Sequence, residues 1–291
     1  MYTEMKIVGI CTLLFVGELL AALPPPVTDK ELQTLSETLL KKDVNNAAKF
    51  IKINYQARTR SNSLTDAAPL PLISVDKRVF QLPTVAKVRM LYDNYVADTS
   101  VNEHVTAQER AEESSLLDTF LATPVMSTAM RFLADHGLVR RDPKAYKNLL
   151  NQIWFGMYSR GGGRVGSSAF EHVFLGELKR GEISGLHNWI FFNNEEILKH
   201  ADYLGYIRKL ELGDKGAILK LHYKWENVIK PVGSMFVGTS PELEMALYTV
   251  CFIARPNQKC SLSLSGKRVF INTHTFRYRG KNMIGSAYPE I

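Results

Sequence analysis

Eight residues divide this chain into two kinds of pattern: Gly161-Gly162-Gly163-Arg164-Val165-Gly166-Ser167-Ser168. Before them, apolar residues recur at helical spacing. After them, short runs of Val, Ile, Phe, Tyr and Thr lie between turn formers and read as strands. Such a chain is expected to be α+β, with a helical N-terminal lobe over about 28–160 and an antiparallel-sheet-rich C-terminal lobe over about 161–291. The glycine run is neither a phosphate-cradling P-loop, because no G-K-S/T follows at the right spacing, nor a dinucleotide fingerprint. It reads as a flexible joint, and as a mobile lip of any site built just beyond it.

The helical half carries its own punctuation. Thr28-Asp29-Lys30-Glu31 is a capping box. It opens a helix to about Lys42, with Leu32, Leu35, Leu39 and Leu40 on one face. A second helix is expected from Asn45 to about Ile53, and Ala57 to Pro71 is a loop. Val85, Val88, Leu91 and Tyr92 share a face. Thr106-Ala107-Gln108-Glu109 is another capping box, for a helix ending before Pro124. Met126, Met130 and Leu133 mark the next helix, with Gly137 as its C-cap. Asp142-Pro143 starts one whose buried face is Leu149, Leu150, Ile153 and Trp154. Beyond the joint, strands are expected at Gly216–Trp225, Ser234–Gly238, Ser261–Leu264, Arg268–Phe276 and Asn282–Ser286. A helix from Pro241 to Ala254 interrupts them.

The N-terminus adds a targeting signal. Lys6, the apolar stretch Ile7–Val16, and Leu19-Leu20-Ala21-Ala22-Leu23 before three prolines read as a signal peptide over 1–22, with the working domain at 23–291. The apolar core is short for a membrane span, so no stable anchor is expected. Glu4 and Glu18 are unusual in such a segment, and a retained short anchor is the competing reading. Secretion would leave Cys251 and Cys260 in an oxidising compartment. There they either pair or, for Cys251 in its apolar run, stay buried. The net charge of +7 and pI of about 9.2 favour an anionic partner.

Chemistry concentrates between Ser168 and Trp189, S-A-F-E-H-V-F-L-G-E-L-K-R-G-E-I-S-G-L-H-N-W. It holds His172 and His187, with Glu171, Glu177 and Glu182 beside them, and alternation around His187 suggests a strand. Two imidazoles on neighbouring elements can act as acid and base near neutral pH. Equally, they can be hydrogen-bonded core residues, and Glu177 can simply pair with Lys179 or Arg180. Downstream come Lys230-Pro231-Val232-Gly233-Ser234, then Gly238-Thr239-Ser240-Pro241-Glu242-Leu243-Glu244, and finally Gly285-Ser286-Ala287-Tyr288-Pro289. Taken singly, Lys230 is a solvated lysine beside a proline, Ser234 a strand-end serine and Tyr288 a core tyrosine. His222 reads as structural. His274, in Thr273-His274-Thr275-Phe276 of an expected strand, is worth following.

Taken in order, these pieces resemble the EndoU family of uridylate-specific endoribonucleases, also called XendoU. The match runs histidine, histidine, lysine, terminal tyrosine. It covers the chain from about Thr28 onward and is densest from Ser168 to Pro289. Each motif is short; five of them in sequence are specific.

The resemblance implies a catalytic set of His172, His187 and Lys230, the sheet-rich half being the catalytic lobe. It places Ser234 at the uracil edge and Tyr288 against the nucleoside. Glu171 and Glu177 fall where acidic residues matter in relatives, and so join the expected substrate site. Relatives often require Mn2+, which carboxylates suit, but no compact ligand cluster is visible and the metal ligands stay unassigned. The expected partner is single-stranded RNA containing uridine, not DNA, met by a secreted monomer. RNA supplies its own nucleophile, the 2′-hydroxyl. One histidine (by the resemblance His187) removes its proton, the other (His172) protonates the leaving 5′-oxygen, and lysine offsets charge on the phosphorane. The products would be a 2′,3′-cyclic phosphate and a 5′-hydroxyl. The alternative is a catalytically silent secreted RNA- or polyanion-binding protein, against which the intact His, His and Lys set argues.

Overall fold

Capping chemistry decides where the first helices begin. The computed structural model describes residues 26–291 except Leu64, so the proposed signal segment lies outside the described residues. Helix α1 (Asp29–Lys41) starts at Thr28, where threonine and Glu31 cap each other reciprocally. The second expected helix does not form. Asn45–Ile53 instead gives a single 3-10 turn (Ala48–Phe50) and a strand, β1 (Ile51–Ile53), which pairs with β2 (Ile73–Val75). Helix α2 (Pro83–Arg89) follows, then α3 (Ala107–Leu121), opened by the Thr106–Glu109 box. Helix α4 (Pro124–Asp135) begins at proline and ends before Gly137, which takes a positive φ of 67°. Helix α5 (Pro143–Leu150) is capped by Asp142.

Two single π-helical turns, wider than α-helical ones, flank the glycine run, at Asn151–Phe155 and Glu171–Leu175. A small ribbon, β3 (Glu177–Lys179) with β4 (Glu182–Ser184), leads to α6 (Trp189–Ile197). Strands β5 (Ala201–Glu211), β6 (Ala217–Trp225) and β7 (Val228–Val237) form an antiparallel meander. Helix α7 (Pro241–Ala254) follows, then β8 (Lys259–Leu264), β9 (Lys267–Tyr278) and β10 (Lys281–Glu290), ordered β10-β9-β8. The fold class is therefore the expected one, α+β with antiparallel sheets. Beyond the glycine run, β3, β4, α6 and β5 are additional to the expected elements, β7 begins at Val228 rather than Ser234, and β10 runs on to Glu290 rather than ending at Ser286.

One apolar cluster ties these layers together, from Leu32 of α1 through Trp154 to Ile284 of β10. Helix α7 is its spine, buried from Pro241 to Phe252, as expected of a helix apolar on every side. It touches α4 on one side and β9 and β10 on the other. Helix α1 covers the edge strand β8, where Ser36 Oγ donates to the Ser263 carbonyl at 2.8 Å and accepts from the Ser263 amide at 3.1 Å. Covering an edge this way hides its unpaired backbone groups. A disulfide joins Cys251 at the end of α7 to Cys260 of β8. Among the described residues, no helix is long and apolar enough to cross a membrane.

Candidate active site

The two histidines meet because the segments that carry them are bonded backbone to backbone. Leu186 N donates to the His172 carbonyl at 3.0 Å, and His187 N to the Val173 carbonyl at 2.8 Å. Gly185 permits this approach: it sits at φ 76°, and a Cβ there would run into the His172 carbonyl. His187 is therefore in a loop, not in the expected strand. Its neighbours are anchored on the stretch that opens α7. Asn188 caps α6 and donates to Glu244 Oε2 at 3.1 Å, while Trp189 Nε1 donates to the Thr239 carbonyl at 2.9 Å. So G-L-H-N-W is held by G-T-S-P-E-L-E, fifty residues away.

Two strand irregularities aim the remaining groups. In β7, Lys230 faces Tyr223 and Gly233 faces Leu221, so Pro231 and Val232 bulge out opposite His222. Proline cannot donate to a ladder and suits such a place. In β10, register shifts at Gly285, between Ile284 and Ser286. Each bulge lies beside a residue that lines the cleft, and bulges redirect side chains in this way.

The resulting cleft has a volume of about 630 Å³ and lies between the β6–β7 and β9–β10 walls. His172, His187, Lys230, Ser234 and Tyr288 all line it, with Arg160, Lys220, Asn272, His274 and Ser286. The two imidazole centres are 6.3 Å apart, and the Tyr288 ring stacks on His187 at 5.2 Å. Lys230 Nζ donates to the Ile183 carbonyl at 2.8 Å. Burial lowers its pKa to about 8, against an opposing pull from Glu182.

The histidines differ in what holds them. His187 Nδ1 is 2.7 Å from the Ser234 carbonyl. A carbonyl only accepts, so Nδ1 carries the hydrogen and Nε2 keeps its lone pair. Burial, then Lys230, then His172 push the His187 pKa well below its usual value. His172 Nδ1 instead meets Glu177 Oε2 at 2.9 Å, and its Nε2 lies 3.0 Å from Ser286 Oγ. Burial lowers its pKa to about 4, with Glu177 pulling the other way. Burial would raise Glu177 itself, but His172, Arg160 and Ser167 outweigh it and keep the carboxyl below the usual range.

Glu171 and Glu177 do not line the cleft; they stand behind it. Glu177 takes up His172, the Arg160 guanidinium at 2.7 Å and the Ser167 hydroxyl. Its partners are thus neither Lys179 nor Arg180. Glu171 accepts from Ser168 N at 3.0 Å and Ser168 Oγ at 2.9 Å, capping the turn that carries His172. Burial, with Glu103 and Glu177 nearby, pushes the Glu171 carboxyl well above its usual range. His222 is buried between the Pro231 and Ser63 carbonyls, each 3.1 Å away, and is structural.

Arg160 and Ser286 escaped the sequence reading. Arg160 also reaches the Gly285 carbonyl at 2.8 Å, so it ties the glutamate behind His172 to the bulge beside Ser286. The only signal was position: an arginine opening the glycine run, and a serine inside the quoted G-S-A-Y-P.

The carboxylates at the cleft and behind it do not fit a resident divalent ion. Glu177 and Glu171 are committed as described, and Glu290 is held by Asn272 and Lys259. Among the described residues, Glu195, His200 and Glu226 bring ligand atoms within 4.8 Å of one another and could hold a cation. None of these three lines the histidine cleft; Glu195 and Glu226 line a second cavity with Trp225.

Residues 31–289 match the family model of endoribonuclease XendoU. The uridylate-specific endoribonuclease EndoU of Drosophila melanogaster is 36% identical over 272 residues, spanning 92% of this chain and 84% of that one. The human uridylate-specific endoribonuclease is 38% identical over 271 residues, covering 90% of this chain and 66% of its own length. The solved structure of XendoU, described as a splicing-independent snoRNA-processing endoribonuclease, aligns with a TM-score of 0.74 at 35% identity over 89% of this chain and 96% of that one. With fold, cleft and sequence in agreement, this chain is a member of the XendoU endoribonuclease family.

Proposed function

We propose that the protein cuts single-stranded RNA at uridine by attack of the 2′-hydroxyl on its own phosphodiester, leaving a 2′,3′-cyclic phosphate and a 5′-hydroxyl. The observation that carries this reading is the pair of imidazoles 6.3 Å apart on one cleft that Lys230 also lines. His187 is the base: its Nε2 lone pair takes the 2′-hydroxyl proton as the oxygen bonds to phosphorus. His172 is the acid: Nε2–H gives its proton to the 5′-oxygen as that bond to phosphorus breaks. A carboxylate at Nδ1 favours the imidazolium that an acid must be, and the carbonyl at the His187 Nδ1 favours a neutral base. The anionic phosphodiester, once bound, raises the His172 pKa from the low value that burial gives it. Lys230 offsets the growing charge on the non-bridging oxygens. No group outside the chain and the RNA is needed to balance this step. A divalent ion would act through the RNA phosphates, which is consistent with the committed carboxylates.

Ser234 and Tyr288 support uridine as the base taken, by edge hydrogen bonding and by packing against the nucleoside. Export by the N-terminal segment belongs to the same reading, and the Cys251–Cys260 disulfide suits an oxidising compartment. The test uses a labelled RNA with one uridine, incubated with and without manganese, with both new ends identified. Cyclic phosphate ends from RNA, with DNA and 2′-methoxy RNA left intact, are expected. Cleavage of the 2′-methoxy substrate would exclude the mechanism. Tight binding without products in either condition would favour a silent RNA-binding protein.

A further inference from the structure

The cleft extends past the histidines to a polar end that the catalytic step leaves unused. There β8, β9 and β10 set Lys259, Asn272 and Tyr288 in one cross-strand row, with Glu290 two residues beyond Tyr288. Cross-strand partners share a face, as do alternate residues along a strand. Asn272, Tyr288 and Glu290 all line the cleft, with Lys220 and Ser234 on the opposite wall. Asn272 Nδ2 donates to Glu290 Oε2 at 2.7 Å, and Lys259 Nζ reaches the two Glu290 oxygens at 3.2 and 3.1 Å.

We propose that Asn272 is a specificity-determining residue that accepts the N3–H of uracil on its Oδ1, its orientation fixed by Glu290 and Lys259. This rests on the reading of the cleft as a uridine-cleaving site. The argument concerns direction. An ionised carboxylate only accepts, so the amide must turn its nitrogen to Glu290 and its oxygen away from it. Asn272, then Lys259, hold Glu290 below the usual carboxylate range, which keeps it ionised. Among the described residues the amide bonds through Nδ2 alone and Oδ1 has no hydrogen-bond partner, and the residue is half-buried at the cleft wall. Uracil offers a donor at N3, where cytosine offers an acceptor. A fixed acceptor therefore welcomes one base and repels the other. Ser234 alone does not discriminate, because its hydroxyl rotates and serves as donor or acceptor. A site built to hydrogen-bond one group rejects the analogue lacking it far more strongly than an apolar pocket does.

The experiment compares oligonucleotides that differ only at one scissile residue: uridine, cytidine or N3-methyluridine. For N272A, uridine-over-cytidine selectivity in kcat/KM is expected to fall about tenfold or more, with a matching loss of discrimination against N3-methyluridine. For E290Q, whose amide can donate or accept, Asn272 is free to turn over; selectivity falls severalfold and cytidine cleavage rises. A purely structural loss would lower all three rates together. Unchanged ratios in both variants overturn the assignment, and E290Q decides if N272A does not fold. Wild-type protein that cuts none of the substrates sinks the reading of the cleft instead. Wild-type preference for uridine that both variants retain sinks only the role of Asn272.

Discussion

The two imidazoles share one cleft but are held by opposite kinds of neighbour. His172 leans on charge: Glu177 at its Nδ1, with Arg160 and Ser167 behind that carboxylate. His187 leans on backbone: the Ser234 carbonyl at its Nδ1, and Lys230 near enough to lower its pKa. The first setting supports a proton carried; the second supports a lone pair kept. In the proposed mechanism the division of labour between acid and base therefore rests on the residues behind each imidazole, and changing those residues dissects the site.

The harshest way to break the comparison is to remove each imidazole. His172→Ala and His187→Ala should each lower kcat/KM by about 10²–10⁴. Their double variant should lose little more than the worse single, since acid and base act in one step. Rates on the uridine oligonucleotide, with melting curves to verify folding, check this. Independent, multiplying losses would mean that the two histidines do not serve the same event.

Lys230→Met comes next, with a loss of about 10²–10³ for a removed charge-stabilising group. It also has a signature. Lys230 depresses the His187 pKa, so removing its charge lets that pKa rise. The base must be neutral, and activity is gained as pH rises through this pKa. The acidic limb of the profile should therefore move to higher pH. Because Lys230 itself titrates at about 8, the wild-type rate should also decline as pH rises through that value, and Lys230→Met should lose that component.

Glu177→Gln sharpens the comparison from the other side. The carboxylate raises the His172 pKa against burial, so its removal lets that pKa drop below about 4. The acid must be protonated, and activity is lost as pH rises through this pKa. The alkaline limb should therefore move to lower pH, with about a tenfold smaller protonated fraction for each unit of depression. Opposite shifts in the two variants would establish the assignment of roles. Shifts of the same limb in the same direction would reverse or abolish it.

How much of this was legible in the sequence depended on how local the cause was. Helix α7 was read to the residue because Ser240, Pro241 and the apolar run specify it alone. The helices opened by Thr28, Thr106 and Asp142 were equally local. Asn45–Ile53 failed because pairing of Ile51–Ile53 with Ile73–Val75 overrode its helical spacing. The region around His187 failed for a similar reason: it is shaped by bonds to Val173, Ser234, Thr239 and Glu244. The bulges at Pro231 and Gly285 depend on register with other strands, which no single stretch reveals. Membership of His172, His187, Lys230, Ser234 and Tyr288 in one cleft came from motif order. That Glu171 and Glu177 stand behind it, as a cap and a charge partner, follows from how the turn at His172 packs against Arg160 and Ser168, which no motif states.

The smallest effect tests the cleft wall opposite the carboxylate. Ser286 Oγ lies 3.0 Å from His172 Nε2, the atom that delivers the proton in the proposed mechanism. This hydroxyl stands at the nitrogen that the leaving oxygen needs, so it has to give way when RNA binds. It therefore orients the ring without supplying charge. Loss of one neutral hydrogen bond is worth about 0.5–1.5 kcal/mol, or about 2–10-fold in rate. Ser286→Ala should fall in that range, with both pH limbs unmoved because no charge has changed. Steady-state rates across the pH range for Ser286→Ala and Glu177→Gln, run side by side, separate the two partners of His172. If Ser286→Ala shifted the alkaline limb as far as Glu177→Gln does, the hydroxyl would be setting the protonation of the acid, and the contrast between charge-held and backbone-held histidines would no longer explain the site.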